Sequence, residues 1–423
     1  MSQEPMKTPP PIARRSDAEL KLTRETREYT LITPLFGGGA EPQQADAVTV
    51  VRASEVRGHL RFWWRAIRGG AFGPGAQGLQ AMKTREGEIW GAPADDARQP
   101  EGKAQAKLPT VQLALTVTER GHAYHREIKG QPVHVGAPKS PYGYAAFPLY
   151  QTDKESKVVE GVKFSLHLTY ATAHAEEVAA ALWGWETFGG IGGRTRRGFG
   201  AVSCTNVAGA RPPSPAELEN WIIAQATRFR PKVAKGVWPD NVPHPIYGQT
   251  RRIQRDFATP MMALEALLAA LRTFRQYRLD KKTGAHSPYG YSVWPEANEI
   301  RRLAKVPAKA RGKPISGKFP RAAFGLPIIF QFKDEPLDQV TLKPSGHDRL
   351  ASPLILKPLE CANGKSVALA ALLKTPALPP GSHLELDGHE VGATLSLADA
   401  AGIPPLNKSQ DVLGAFLAWL MKA

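Results

Sequence analysis

Two strands of period two and two helical segments, in a fixed order over the first 207 residues, predict an α+β fold. TVQLALTVT brings Val111, Leu113, Leu115 and Val117 into phase, and VKFSLHLTY does the same for Val162, Phe164, Leu166, Leu168 and Tyr170. That alternation marks a strand with one buried face. Helical patterns occupy Ser54 to Gly70 and about 174 to 187, and shorter strands are expected from Tyr29 (YTLIT) and from Ala201 to Val207. The order strand, helix, strand, strand, helix, strand is the split βαβ or ferredoxin-like arrangement. RNA-recognition (RRM-like) folds share that skeleton.

Residues 1 to 28 carry PPPIARR and several charges but no apolar core, so a flexible tail without a targeting signal is expected. YTLIT is stopped by Pro34 and the Gly37-Gly38-Gly39 turn, and Val48 to Val51 reads as a short strand end before the first helix. The Gly- and Pro-rich stretch 69 to 108 reads as a long insertion, and 119 to 160 as a second loop region. Such long loop insertions suggest contact with something outside the domain. Arg211-Pro212-Pro213-Ser214-Pro215 is a break separating a first domain, 29–210, from a second, 211–423. In the second, helices are expected over 216–228, 260–279 and 409–421 and strands over 325–332 and 351–356, a further α+β unit. SPYGY occurs at Ser140 to Tyr144 and again at Ser287 to Tyr291, a hint of duplicated halves.

The 423 residues hold 55 Lys and Arg against 39 Asp and Glu, a net charge of +16. An excess of that size points to a polyanionic partner. Two cysteines, Cys204 and Cys361, supply neither a disulfide framework nor a Cys-rich metal site. No stretch approaches the length of a membrane span. A cytoplasmic protein without metal or other cofactor is expected.

In SEVRGHLRFWWRAIRGG, Ser54 is the expected N-cap and Gly69-Gly70 the stop. Val56, Leu60, Trp63 and Ile67 share one stripe of the helix, while Arg57, Arg61, Arg65 and Arg68 share another. No acid interleaves on the arginine stripe, so phosphate binding is preferred over a merely solvated face. His59 lies on the same helix and could join it. Trp63 is expected in the core, and Trp64 either in the core or as a stacking platform. In FGGIGGRTRRGFGAV, Gly192, Gly193, Arg194, Thr195, Arg196 and Arg197 form a loop whose glycines would let backbone N–H groups approach phosphates while the arginines supply countercharge. It runs from helix to strand, so it is not a dinucleotide fingerprint.

Together RGHLRFWWRA and GGRTRRGFG resemble the RAMP superfamily, the repeat-associated RNA-binding proteins of CRISPR systems. With LITPLFGGG at Leu31 to Gly39, the chain is similar to subunit one of type III-B (Cmr) effector complexes. FGLP at Phe324 to Pro327 and ASPL at Ala351 to Leu354 are looser echoes. The resemblance implies two ferredoxin-like domains and antiviral defence as the setting. It implies contact with the 3′ part of a guide RNA and the 5′ part of a target RNA, and other RAMP subunits as neighbours. It also implies that target cutting belongs to other subunits.

Between Arg272 and Arg321, thirteen Lys or Arg face three acids. Phe274, Tyr277, Tyr289, Tyr291, Trp294 and Phe319 are interleaved among them, a composition suited to single-stranded RNA or simply to a solvated basic loop. The part around 305 to 321 is expected to be mobile without its partner. His122 and His125 form an HxxH without accompanying carboxylates, which is not a catalytic zinc site. Three readings follow: a non-catalytic RNA-binding subunit, which the motifs favour; a metal-independent guide-precursor endoribonuclease; and a basic assembly protein that mainly docks neighbours.

Overall fold

The computed structural model describes residues 16–37, 49–92, 110–124, 126–150, 158–229, 237–280, 282–287, 289–306, 317–332 and 337–422. The architecture is α+β, as the sequence predicts, and holds several antiparallel sheets. Strands β1 (Leu22–Leu31), β2 (Gln112–Ala123), β3 (Val159–Ala171) and β4 (Val202–Cys204) form a sheet of order β2-β3-β1-β4, all pairs antiparallel. β1 starts seven residues before Tyr29, so 22–28 are paired strand rather than tail: Leu22 to Glu28 continue the register against Ala171 to Ser165. Residues 1–15 of the expected tail lie outside the described residues.

Helices α1 (Ala53–Arg68) and α3 (Ala175–Phe188) share a core with one face of this sheet, including Tyr29, Phe164, Leu166 and Leu168. They meet closely at Gly184, where an added Cβ would sit 2.9 Å from Ile67 and 3.2 Å from Trp63. The opposite sheet face is polar. There the ring nitrogens of His167 lie 3.1 Å from the hydroxyls of Thr26 and Thr116, with Lys163, Ser165 and Thr169 alongside.

The stretch 69–108 is not simply a loop. Gly75–Trp90 forms helix α2, whose buried side includes Met82, Glu86, Ile89 and Trp90. Beyond the proline break come α4 (Leu218–Phe229), β5 (His244–Arg252), α5 (Pro260–Arg275), β6 (Leu354–Glu360), β7 (Ser366–Lys374) and α6 (Val412–Leu420). β6, β7 and β5 form an antiparallel sheet in that order. Four short strands, Ile328–Phe330, Val340–Pro344, Leu384–Leu386 and His389–Val391, make a separate small sheet with its own core around Phe319 and Leu342.

The break at 211–215 does not divide two cores. Leu218, Trp221 and Phe229 of α4 pack into the core of the first sheet, and Ala362 and Asn363 donate to the carbonyls of Pro212 and Pro213. Conversely Phe36, Tyr142, Leu149 and Phe199 belong to the core built on α5 and α6. The β6–β7 hairpin explains the sharing, because it is buried on both sides. Ile355, Leu359, Val367, Leu369 and Ala371 face the first core, and Leu356, Ala368, Ala370 and Leu372 face the second. The SPYGY echo is not structural either: the first copy enters a short helix at Gly143, the second a turn into the strand Tyr291–Ser292.

Candidate nucleic-acid interface

Helix α1 begins at Ala53 with Arg52 as N-cap, so Ser54 falls inside the first turn and provides no cap. Val56, Leu60, Trp63 and Ile67 are buried as the periodicity predicts. Gly69 and Gly70 are needed because the Trp238 indole packs against them: a Cβ would fall 2.7 Å and 2.9 Å from its ring. The same indole N–H donates to the carbonyls of Arg65 and Ala66.

The arginine stripe is engaged within the chain. Arg57 donates to the carbonyls of Trp90 and Val111 at 3.3 and 3.1 Å. Arg61 and Arg65 both donate at 2.6 Å to one oxygen of Glu86, from α2. Arg68 holds both oxygens of Glu177 and the carbonyl of Phe229. Trp64 is fully buried, and its N–H donates to Glu177 at 2.7 Å, so it is core and not a stacking platform. Burial alone would raise the Glu177 pKa, but the bonds from Arg68 and Trp64 outweigh it and hold the carboxylate below its ordinary range. His59 is half-buried, 3.7 Å from the Glu55 carboxylate, which itself accepts the Gly192 N–H at 2.7 Å.

The glycine loop is likewise a packing device before it is a cradle. Gly192 and Gly193 spend their N–H groups on Glu55 and on the Phe36 carbonyl, and Gly198 and Gly200 spend theirs on Thr195 and Pro34. Several of its glycines leave no room for a side chain, Gly200 and Gly198 among them. A Cβ on Gly200 would lie 1.8 Å from the Ile191 carbonyl oxygen. One on Gly198, at φ +86°, would lie 2.7 Å from Leu264 of α5. Thr195 is half-buried within the tight turn Thr195–Arg197. Arg196 donates to the Ser352 carbonyl, and Arg197 to those of Leu354 and Phe324 at 3.1 and 2.9 Å. At the root of the loop, the fully buried Lys357 of β6 donates to the Gly189 carbonyl at 2.6 Å. Burial pushes its pKa down to about 7, against the opposing pull of Glu186. Glu186 in turn accepts from Tyr29 Oη at 2.6 Å and Arg27 at 3.0 Å.

Around this loop the charges are unbalanced. Arg194 is exposed, holds a left-handed backbone (φ 56°), and places its guanidinium 5.5 Å from the Phe147 ring centroid. Arg349, also exposed, adds to burial in depressing the Arg194 pKa. Arg197 is depressed by burial and then by Arg275, with Arg194 and Arg196 contributing. Arg275, at the end of α5, lies over the rings of Phe324 and Tyr144 at 5.2 and 5.7 Å, and its buried Nε has no hydrogen-bond partner. Among the described residues none of these five arginines forms an ion pair with a carboxylate. A cluster of cations without acids lowers its energy when an anion arrives.

Sequence reasoning found Arg194 but not Arg349, which stands alone in GHDRL. It included Arg275 only within the basic stretch 272–321. There Phe274, Trp294 and Phe319 are core residues, Tyr277 and Tyr291 are half-buried, and Tyr289 is 95% exposed. Residues 307–316 and His125 of the HxxH lie outside the described residues. No helix of the described residues is long and apolar enough to cross a membrane.

Residues 28–203 match the RAMP superfamily. The CRISPR system Cmr subunit Cmr1-2 of Pyrococcus furiosus is 25% identical over 184 residues, which cover 40% of this chain and 89% of that protein. The crystal structure of apo Cmr1 from Pyrococcus furiosus has a similar fold, with a TM-score of 0.51 over 86% of this chain and 94% of that one at 13% identity. A cryo-EM structure of type III-B Cmr-beta bound to cognate target RNA contains a chain matched with a TM-score of 0.49 at 13% identity, over 95% of this chain and all of that one (100%). Residues 28–203 thus match the RAMP superfamily, and the chain is similar to the Cmr1-2 subunit and to the fold of Cmr1 from Pyrococcus furiosus.

Proposed function

We propose that this chain is a non-catalytic, RNA-binding subunit of a type III-B CRISPR effector complex acting in antiviral defence. In this reading it contacts the 3′ region of the guide RNA or the 5′ region of the target, beside other RAMP subunits. The two antiparallel sheets, β2-β3-β1-β4 and β6-β7-β5, are then two ferredoxin-like units, the second without its fourth strand. The observation that carries the reading is the arginine cluster around the glycine loop: among the described residues Arg194, Arg275 and Arg349 have no acid to neutralise them, which is the chemistry of a phosphate-backbone site.

The contacts in this reading differ from those expected of the bare sequence. Arg57, Arg61, Arg65 and Arg68 hold α1 against α2 and α3, and Arg196 and Arg197 hold the loop against β6. Arg194, Arg275 and Arg349 are left to meet RNA. The polar open face of the first sheet carries no Phe, Tyr or Trp at Thr26, Thr116, Ser165, His167 or Thr169, so the stacking mode of RNA-recognition folds has no platform there.

The test is a titration of purified chain with labelled single-stranded RNA in EDTA across a salt series, with products resolved on a denaturing gel. Intact RNA and a steep salt slope are expected. Arg275→Ala with Arg349→Ala should flatten that slope by about two units. Discrete cleavage in EDTA would replace the reading with an endoribonuclease. A slope unmoved by the double substitution would remove this cluster from the RNA path.

A further inference from the structure

Two large aromatic side chains, three residues apart, are exposed beside the arginine cluster. Phe147–Leu149 is a single 3₁₀ turn capped by Tyr150, whose N–H donates to the Phe147 carbonyl at 3.1 Å. In that geometry positions i and i+3 project from the same side, so Phe147 and Tyr150 are neighbours on one face. They are 42% and 55% exposed. The turn beneath them is fixed, because Ala146 and Leu149 are buried in the second core. The His134 ring centroid lies 5.9 Å from that of Tyr150, and the Arg194 guanidinium lies 5.5 Å from that of Phe147.

Arg194 gives the second observation. It holds a left-handed backbone that a non-glycine residue adopts only at a cost, in a loop where glycine is otherwise used freely. Among the described residues it has no carboxylate partner, and the nearby Arg349 repels it. A strained, unneutralised arginine next to two exposed rings on a rigid turn matches a nucleotide in both its parts, a flat base and an anionic phosphate. Duplex RNA buries its base faces, whereas single strands offer them.

We infer that Phe147 and Tyr150 form a stacking platform for an unpaired RNA base whose flanking phosphates are held by Arg194 and Arg349. The inference rests on the RNA-binding reading above and adds the strand state and the residues that take the base. Because every base has a π face, the platform selects single-strandedness and tolerates sequence.

The full-length chain is titrated with single-stranded RNA carrying one 2-aminopurine, and with a blunt duplex of the same length. Wild-type chain should change the 2-aminopurine fluorescence on binding and should prefer the single strand. F147A/Y150A should bind that RNA roughly ten-fold more weakly or worse, with the salt slope kept and the fluorescence change lost. Both side chains are exposed, and unchanged circular dichroism shows that the fold survives. R194A/R349A should do the opposite, losing about two units of salt slope. Full affinity and fluorescence change in F147A/Y150A would overturn the platform, while a lost slope in R194A/R349A would leave the RNA-binding reading standing. If F147A/Y150A binds RNA normally but fails to join the neighbouring subunits, the patch is a protein contact and the inference falls. No RNA binding by wild-type chain would overturn both.

Discussion

Helix α1 and the glycine loop each present arginines in a pattern that reads as phosphate binding, yet their surroundings differ. On α1 the stripe meets Glu86 and Glu177, carried by α2 and α3, and each of its four guanidinium groups is bonded within the chain. Around the loop, Arg194 and Arg275 meet aromatic rings, and Arg194 and Arg349 repel one another. An arginine's role is therefore decided by the acids brought to it by the fold, and the spacing of the arginines carries little of that information.

The comparison breaks most sharply at Glu177. Glu177→Ala strands Arg68 and the Trp64 indole N–H in a half-buried site, and should cost about 2–4 kcal/mol in urea unfolding. The RNA salt slope should stay as it is; a slope steeper by about one unit would show that Arg68, once freed, reaches RNA.

Lys357 tests the anchoring of the loop. Its folded pKa, about 7, lies below the ordinary lysine value of 10.5. Between those pH values the unfolded chain therefore holds a proton that the folded chain has released. Linkage makes this group's contribution to stability rise with pH across that window and level off below pH 7. Lys357→Met should abolish that rise, read as the difference between wild-type and variant urea midpoints at pH 7 and pH 10. Parallel pH profiles would show that Lys357 is not held neutral.

The smallest effect on stability, and the clearest separation of the two regions, belongs to Arg194. Arg194→Gly relieves the left-handed backbone and should leave stability equal or higher by up to about 1 kcal/mol. RNA binding should weaken with about one unit less salt slope. A destabilised variant with normal RNA binding would make Arg194 another structural arginine, like those of α1.

Much of the fold was legible because one-sided burial leaves a period. The in-phase residues of β2 and β3 and the apolar stripe of α1 lie where the alternation put them. β7 (SVALAALLK) escaped because a strand buried on both faces has no alternation to read. α2 escaped because glycines at 75, 78 and 87 mask its helical pattern, and with it went Glu86, the partner of two arginines. Of the candidate interface, Arg194 was visible from its glycines. Arg275, Arg349, Phe147 and Tyr150 come from segments far apart in the chain, and only tertiary structure brings them together. The glycines were read for ligand approach; most of them answer instead to close packing against Ile191, Leu35 and Leu264.

The β6–β7 hairpin has a mechanical consequence. Since its two faces belong to different cores, swinging one half of the molecule against the other would tear apolar surface open on at least one side. Residues 28–203 taken alone would likewise lose Ile355, Leu359, Val367 and Leu369 from their core. The arginines of the loop, of α5 and of the segment before β6 therefore hold fixed spacings, and in the proposed reading a strand laid across them would be gauged by a stiff template rather than gripped by a closing jaw.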